Sequence, residues 1–107
     1  MPTRREKLEA LLAEEPQDHF LRYSLALELA KEGNFERSRE LLASLIAEHP
    51  PYVPACFMAA RQAAQQGRAD DARTALRIGI DEARRQGDHH AADEMNEWLN
   101  RLGSGSG

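Results

Sequence analysis

The feature that most constrains this chain is a repeat with a period of 34 residues. Gly33 is followed by Gly67, and Pro16 by Pro50, at this spacing. Apolar residues keep the same period, in the two series Leu8, Leu42, Leu76 and Leu12, Ile46, Ile80. A period of this length is typical of helical hairpins, each too small to bury its apolar face alone. The sequence therefore predicts a stack of hairpins.

The helical periodicity, together with the residues that start and stop helices, predicts six helices. Thr3 is the expected N-cap of the first, with Glu6 completing a capping box, and Leu8, Leu11 and Leu12 are expected to form its apolar stripe. Glycines at positions 33, 67 and 87 are expected to stop the second, fourth and fifth helices. The helices are predicted over approximately residues 4–14, 18–32, 35–49, 52–66, 69–86 and 89–102.

Length and composition favour one small globular domain. Residues 1–103 are expected to form it, followed by a flexible Gly/Ser tail at 104–107. A charged fraction of 30% and a hydrophobic fraction of 41% suit a folded chain rather than a disordered one. The net charge of −4 gives no basic face for nucleic acid. No apolar run long enough for a membrane span and no signal-peptide pattern are visible, so a cytoplasmic location and no membrane partner are expected.

The two units at 19–52 and 53–86 resemble the tetratricopeptide repeat family, in a short form of the bacterial type. In that family the first helix of a hairpin (helix A) carries a Leu–small pair and ends before Gly, and the second (helix B) is followed by Pro. The first unit matches this pattern with Leu25, Ala26, Leu29, Gly33, Phe35, Ser38, Leu42, Leu45 and Pro50. The second matches it more weakly with Ala59, Ala60, Ala63, Gly67, Ala69, Ala72 and Leu76.

Two residues depart from the family pattern. Arg22 stands where the family favours a large apolar side chain, and we expect Leu21 to take over its packing. Arg84 replaces the closing proline of the second unit. The register implies the helix order B, A-B, A-B, A, which is two full units with a half-unit at each end. The resemblance thus implies an all-α, right-handed α-solenoid of six helices.

The resemblance also implies a binding surface, because helices A of the family line a concave groove. Carried over by position, the candidate peptide-binding residues on the three helices A are Phe20, Tyr23, Leu27, Lys31, Phe57, Arg61, Gln65, Asp93 and Glu97. Aromatic anchors beside a cation suit a peptide with an apolar side chain and a nearby carboxylate. Core packing is the alternative interpretation of Tyr23, Leu27 and Phe57.

A family subclass grips the C-terminal carboxylate of chaperones with Lys and Asn side chains. Tyr23, Leu27 and Met58 stand at the corresponding positions, so a chaperone-tail receptor is excluded.

No catalytic or metal constellation stands out from the sequence. The pairs His89–Asp93 and His90–Glu94 offer too few ligands for a metal ion, and Cys56 falls on an apolar helix side as a buried thiol would. The charges of the fifth helix are expected to form solvated pairs such as Asp81–Arg85. We therefore expect no enzyme activity, no metal and no cofactor.

The sequence favours a non-catalytic adaptor or scaffold that binds a peptide or helix of a partner protein in its groove. The alternative is a self-assembling structural module, in which the terminal half-repeats of successive molecules complete one another. Trp98 and Leu102, on the last helix, are the candidate self-association residues. A monomer or a weak homo-oligomer is expected, and the partner's identity stays open.

Overall fold

The computed structural model describes residues 1–103, and these form six α-helices, so the predicted all-α fold class is confirmed. The tail predicted at 104–107 lies outside the described residues. The observed ends fall within about three residues of the predicted ones. The helices are α1 (Arg4–Glu14), α2 (His19–Lys31), α3 (Phe35–Ile46), α4 (Val53–Gln65), α5 (Ala69–Arg85) and α6 (His89–Gly103).

The starts of α1 and α2 are fixed by local hydrogen bonds from capping side chains. The hydroxyl of Thr3 accepts a bond from the Glu6 backbone N–H at 3.1 Å, and the Glu6 carboxylate accepts one from the Thr3 N–H at 2.8 Å. This is the predicted capping box. The bond from the Thr3 backbone also lowers the pKa of Glu6. At the start of α2, the Asp18 carboxylate accepts a bond from the Leu21 N–H at 2.8 Å.

Three helices end in the same glycine turn, and two of the glycines, Gly33 and Gly67, keep the 34-residue period. Gly33, Gly67 and Gly87 have φ values of 84°, 75° and 76°, a conformation that side chains with a Cβ rarely adopt. In each turn the N–H after the glycine donates to a carbonyl five residues back, as Asn34 does to Leu29 at 2.8 Å. The turn reverses the chain after α2, α4 and α5.

The chain divides into two compact units, residues 1–45 and the residues from 46 onward. The prediction of one domain over residues 1–103 stays a prediction.

The first unit has a leucine core. Leu8, Leu25 and Leu29 are buried together, and Leu12, Leu21 and Leu41 pack against them. Leu21 thus packs as predicted beside Arg22, whose guanidinium donates to the Ser44 hydroxyl at 3.0 Å.

Small residues bring α2 and α3 into close contact in this unit. Ala26 and Ser38 are fully buried. The Ser38 hydroxyl donates to the carbonyl of Ala26 at 2.6 Å, so side chain and backbone of facing helices touch directly. A larger residue at either position would separate the two helices.

Ion pairs join α1 to the other helices of the first unit. The Arg5 guanidinium bonds Glu9 at 2.9 Å and Glu32 at 2.8 Å, and Arg37 bonds Glu9 at 3.0 Å. The hydrogen bond to Glu32 raises the pKa of Arg5. Exposed pairs of this kind contribute little free energy individually, so they orient α1 more than they stabilise the fold.

The apolar stripe predicted for α1 is only partly correct. Leu8 is buried and Leu12 is half-buried, but the Leu11 side chain is 50% exposed. Leu11 stands one period before Leu45, which is fully buried, so the two equivalent positions differ in burial.

The second unit packs α5 against both α4 and α6. Its buried core is mostly alanine, with Leu76, Ile80 and Met95 as the large members. Alanine keeps the helices close, and the extreme case is Gly79 on α5. A Cβ at Gly79 would lie 2.7 Å from the sulfur of Met95 and 2.8 Å from the Cβ of Cys56.

Replacing Gly79 with Ala tests this close contact. Alanine is the better helix former by about 1 kcal/mol, but its methyl group would have to displace Cys56, whose Cβ is fixed to the backbone of α4. We expect Gly79→Ala to lower the free energy of unfolding by about 1–3 kcal/mol, measured by urea denaturation. Gly103→Ala is the control, because a Cβ there meets nothing within 4 Å. Equal or greater stability of Gly79→Ala would contradict the packing described.

Candidate binding surface

The groove positions of α2 form a row of side chains on one helix face. Phe20, Tyr23, Leu27 and Lys31 are spaced by three or four residues, so they stand one above another. Phe20 is 65% exposed, whereas Tyr23 and Leu27 are half-buried. Lys31 is exposed and lies 3.9 Å from Glu28. The row offers an apolar surface with a cation at its C-terminal end.

The groove positions of α4 follow the same spacing. Phe57 is half-buried and packs against the core of the second unit. Arg61 and Gln65 follow it at intervals of four residues and are exposed. The Arg61 guanidinium forms no ion pair or hydrogen bond within residues 1–103, so it is available to a ligand.

An aromatic pair joins α4 to α6. The rings of Phe57 and Trp98 have centroids 5.3 Å apart and are tilted by 56°. Tilted pairs at this distance are favourable beyond the apolar area that they bury. The pair fixes Phe57 in place, one helical turn from Arg61.

The groove positions of α6 are acidic. Asp93 and Glu97 are exposed, and within the part of the chain that the structure describes neither forms an ion pair. Within the second unit, the candidate surface therefore combines an aromatic pair with a free cation on α4 and free carboxylates on α6.

The two residues proposed for self-association are half-buried. Trp98 and Leu102 pack against the core of the second unit, and the Leu102 carbonyl accepts a bond from Arg73 at 3.1 Å. Trp98 has Phe57 of α4 as an aromatic neighbour, a contact that the sequence alone does not reveal because the two residues are 41 positions apart. Exposed positions of α6 are instead polar, as in Asp93, Glu94 and Glu97.

Cys56 is a buried thiol, as expected. Burial raises its pKa to about 11, and the nearby Glu82 carboxylate acts in the same direction. The location of Glu82 was missed, because the sequence assigned it to a solvated face. Its side chain is only 7% exposed and is held by Arg85 at 3.2 Å and by Gln86 at 2.9 Å. Arg85 thus pairs with Glu82 rather than with the predicted Asp81.

Metal ligation finds no support among residues 1–103, where no group of three or more candidate ligands is close enough to hold an ion. His90 lies 3.8 Å from Glu94, which is the predicted pair on the first turns of α6. None of the described helices is both long and apolar enough to cross a membrane.

Comparison with known proteins identifies the class. The tetratricopeptide repeat model matches residues 29–92, more than half of the chain, and the chain belongs to this family. Protein BPP2914 from Bordetella parapertussis, known from a solution structure, is similar over 97% of this chain and 90% of its own, with 28% identity and a TM-score of 0.76. No curated protein matches the sequence. The family generally mediates protein–protein interaction and is generally non-catalytic.

The reactivity of Cys56 tests the packing beneath this surface. A pKa of about 11 lowers the thiolate fraction at pH 8 by about a hundredfold relative to an exposed thiol. We expect a thiol reagent at pH 8 to label the folded protein at least about a hundredfold more slowly than the urea-unfolded protein. Because Cys56 is the one cysteine of the chain, the labelling rate reports on this residue alone. Comparable rates in the two states would contradict the burial of Cys56.

Proposed function

We propose that the protein is a non-catalytic interaction module that binds a peptide or helix of a partner protein along the groove positions of its helices A. The observation that carries this proposal is the Phe57–Trp98 pair with the unpaired Arg61 one turn from Phe57. An aromatic platform beside a charge that the partner would remove from water is a usual composition of an interaction hot spot. The membership in the repeat family supports the same class of function.

The chemistry of the surface suggests what the peptide carries. An apolar side chain would rest on the aromatic pair, and a carboxylate near it would bind Arg61. The proposed partner segment therefore has an apolar residue next to an acidic one.

The alternative of end-to-end self-assembly is supported less well. In that arrangement α1 of one molecule would pair with α6 of another as a helix B with its helix A. Arg4 of α1 stands one period before Ser38, the buried residue that donates to Ala26. An arginine at this position would hold the paired helices apart, and Arg4 already lies 3.3 Å from Glu28. We therefore favour peptide binding.

Charge reversal at Arg61 tests the proposal directly. Partner capture by the immobilised protein from lysate of the source cell should fall at least about tenfold with Arg61→Glu, because a carboxylate then opposes a carboxylate. Phe57→Ala should cause a similar loss by removing the aromatic platform. Bound proteins are quantified by mass spectrometry, which gives one ratio for each captured protein.

Arg77→Glu is the matched control. Arg77 is an exposed arginine of α5, outside the groove positions, so the same change of charge should leave capture unchanged. Melting curves by circular dichroism separate lost binding from lost folding, which matters for the half-buried Phe57. If Arg61→Glu and Arg77→Glu capture the same proteins as the unmodified chain in the same amounts, the groove proposal is wrong.

A further inference from the structure

Two large apolar side chains of the first unit are exposed. They are Leu11 on α1, at 50%, and Phe20 on α2, at 65%. Single exposed apolar residues are common on soluble proteins. Leu11 stands out, however, because the residue one period later, Leu45, is completely buried.

Leu11 and Phe20 lie on the same flank of the α1–α2 pair. The flank is marked by the Arg4–Glu28 ion pair at 3.3 Å. Leu11 follows Arg4 by seven residues and Phe20 precedes Glu28 by eight, so each shares a helix face with its charged residue. Because packed helices joined by a short connection run antiparallel, both positions fall at the same end of the flank. We call Leu11 and Phe20 the edge patch.

Unpaired charges of opposite sign stand on either side of Leu11. Lys7 precedes it by four residues and Glu14 follows it by three, so the three side chains form one row along α1. Both charged residues are exposed, and within residues 1–103 neither side chain forms an ion pair or a hydrogen bond. By contrast, Arg5 and Glu9 on the other side of α1 are both paired. The row therefore presents a cation, an apolar residue and an anion in that order.

A row with this order is complementary to itself when it is reversed. We propose that two copies of the chain associate through α1, with the two helices antiparallel about a two-fold axis near Leu11. Lys7 of each copy then faces Glu14 of the other, and the edge patches cover each other. The exposed Ala10 beside Leu11 lets the two helices approach closely. This is a closed pair of identical surfaces, unlike the open chain that end-to-end assembly would give.

The pair is weak because little surface is involved. Two apolar side chains and two exposed ion pairs bury far less than the approximately 800 Å² per partner of a stable complex. We expect a dissociation constant on the order of 0.1–1 mM. The proposal does not depend on the peptide groove, since its test uses the chain alone.

Sedimentation equilibrium of the full chain, from about 10 μM to about 1 mM, tests the proposal across this range. The expected result is a monomer–dimer equilibrium and no larger species. In the dimer, Lys7→Glu or Glu14→Lys alone would turn both ion pairs across the two-fold axis into pairs of like charge. Each single variant should therefore weaken dimerisation about tenfold. The double variant Lys7→Glu/Glu14→Lys restores opposite charges across the axis, so its dissociation constant should return to within about twofold of the original.

Glu40→Lys is the control for net charge. Glu40 is an exposed residue of α3, outside the proposed interface. Glu40→Lys changes the net charge by the same amount as Glu14→Lys, so it should leave dimerisation unaffected. Leu11→Glu should abolish the dimer. If that variant unfolds, as circular dichroism would report, the charge exchange carries the test by itself, because both charged side chains are exposed.

Four results would overturn the proposal. They are a monomer at every concentration, a ladder of larger oligomers, a dimer insensitive to either single charge reversal, and a double variant that dimerises no better than the single ones.

Discussion

The close approach of neighbouring helices is the constraint on which the rest of the structure depends. In the first unit the hydroxyl of Ser38 reaches the backbone carbonyl of Ala26. In the second unit Gly79 leaves no room for even a methyl group between itself, Met95 and Cys56. Such contacts need side chains of almost no volume at a few positions, and dense packing makes each position intolerant of larger ones.

This spacing also determines what the surface of the second unit can offer. With α5 packed against α4 and α6, the rings of Phe57 and Trp98 meet at 5.3 Å and hold each other in place. A rigid aromatic pair loses little conformational entropy when a ligand covers it. The exposed side chains beside it, such as Arg61 and Glu97, supply charge and hence selectivity. The proposed function uses the rigid part for affinity and the exposed part for specificity.

Much of the fold was predictable because its signals are local. A capping box involves residues three positions apart, and a glycine turn is read from one residue and its neighbours, so the helix ends at Thr3 and Gly33 were placed correctly. The 34-residue period also predicted that the helices pair into hairpins. The exposure of Leu11 and the burial of Glu82 were missed, since each depends on which helix lies next to the residue rather than on its own helix.

The candidate site, too, was predictable where its signals are local and not where they depend on tertiary contacts. The period and the family pattern gave the positions of Phe20, Phe57 and Arg61, and these are exposed or half-buried on their helices. The contact of Phe57 with Trp98 was not predictable, because it joins helices separated by all of α5. Side-chain pairing is decided by tertiary packing, which no local pattern encodes.

The most direct test of the central claim is to observe which helices a bound peptide touches. Peptides selected from a displayed random library are titrated into the isotope-labelled protein, and the shifts of its backbone amide resonances are mapped by NMR. The account predicts that the perturbed amides lie on α4 and α6, around Phe57, Arg61 and Trp98. Perturbations confined to α3 and α5, or a library that yields no binding peptide, would contradict it.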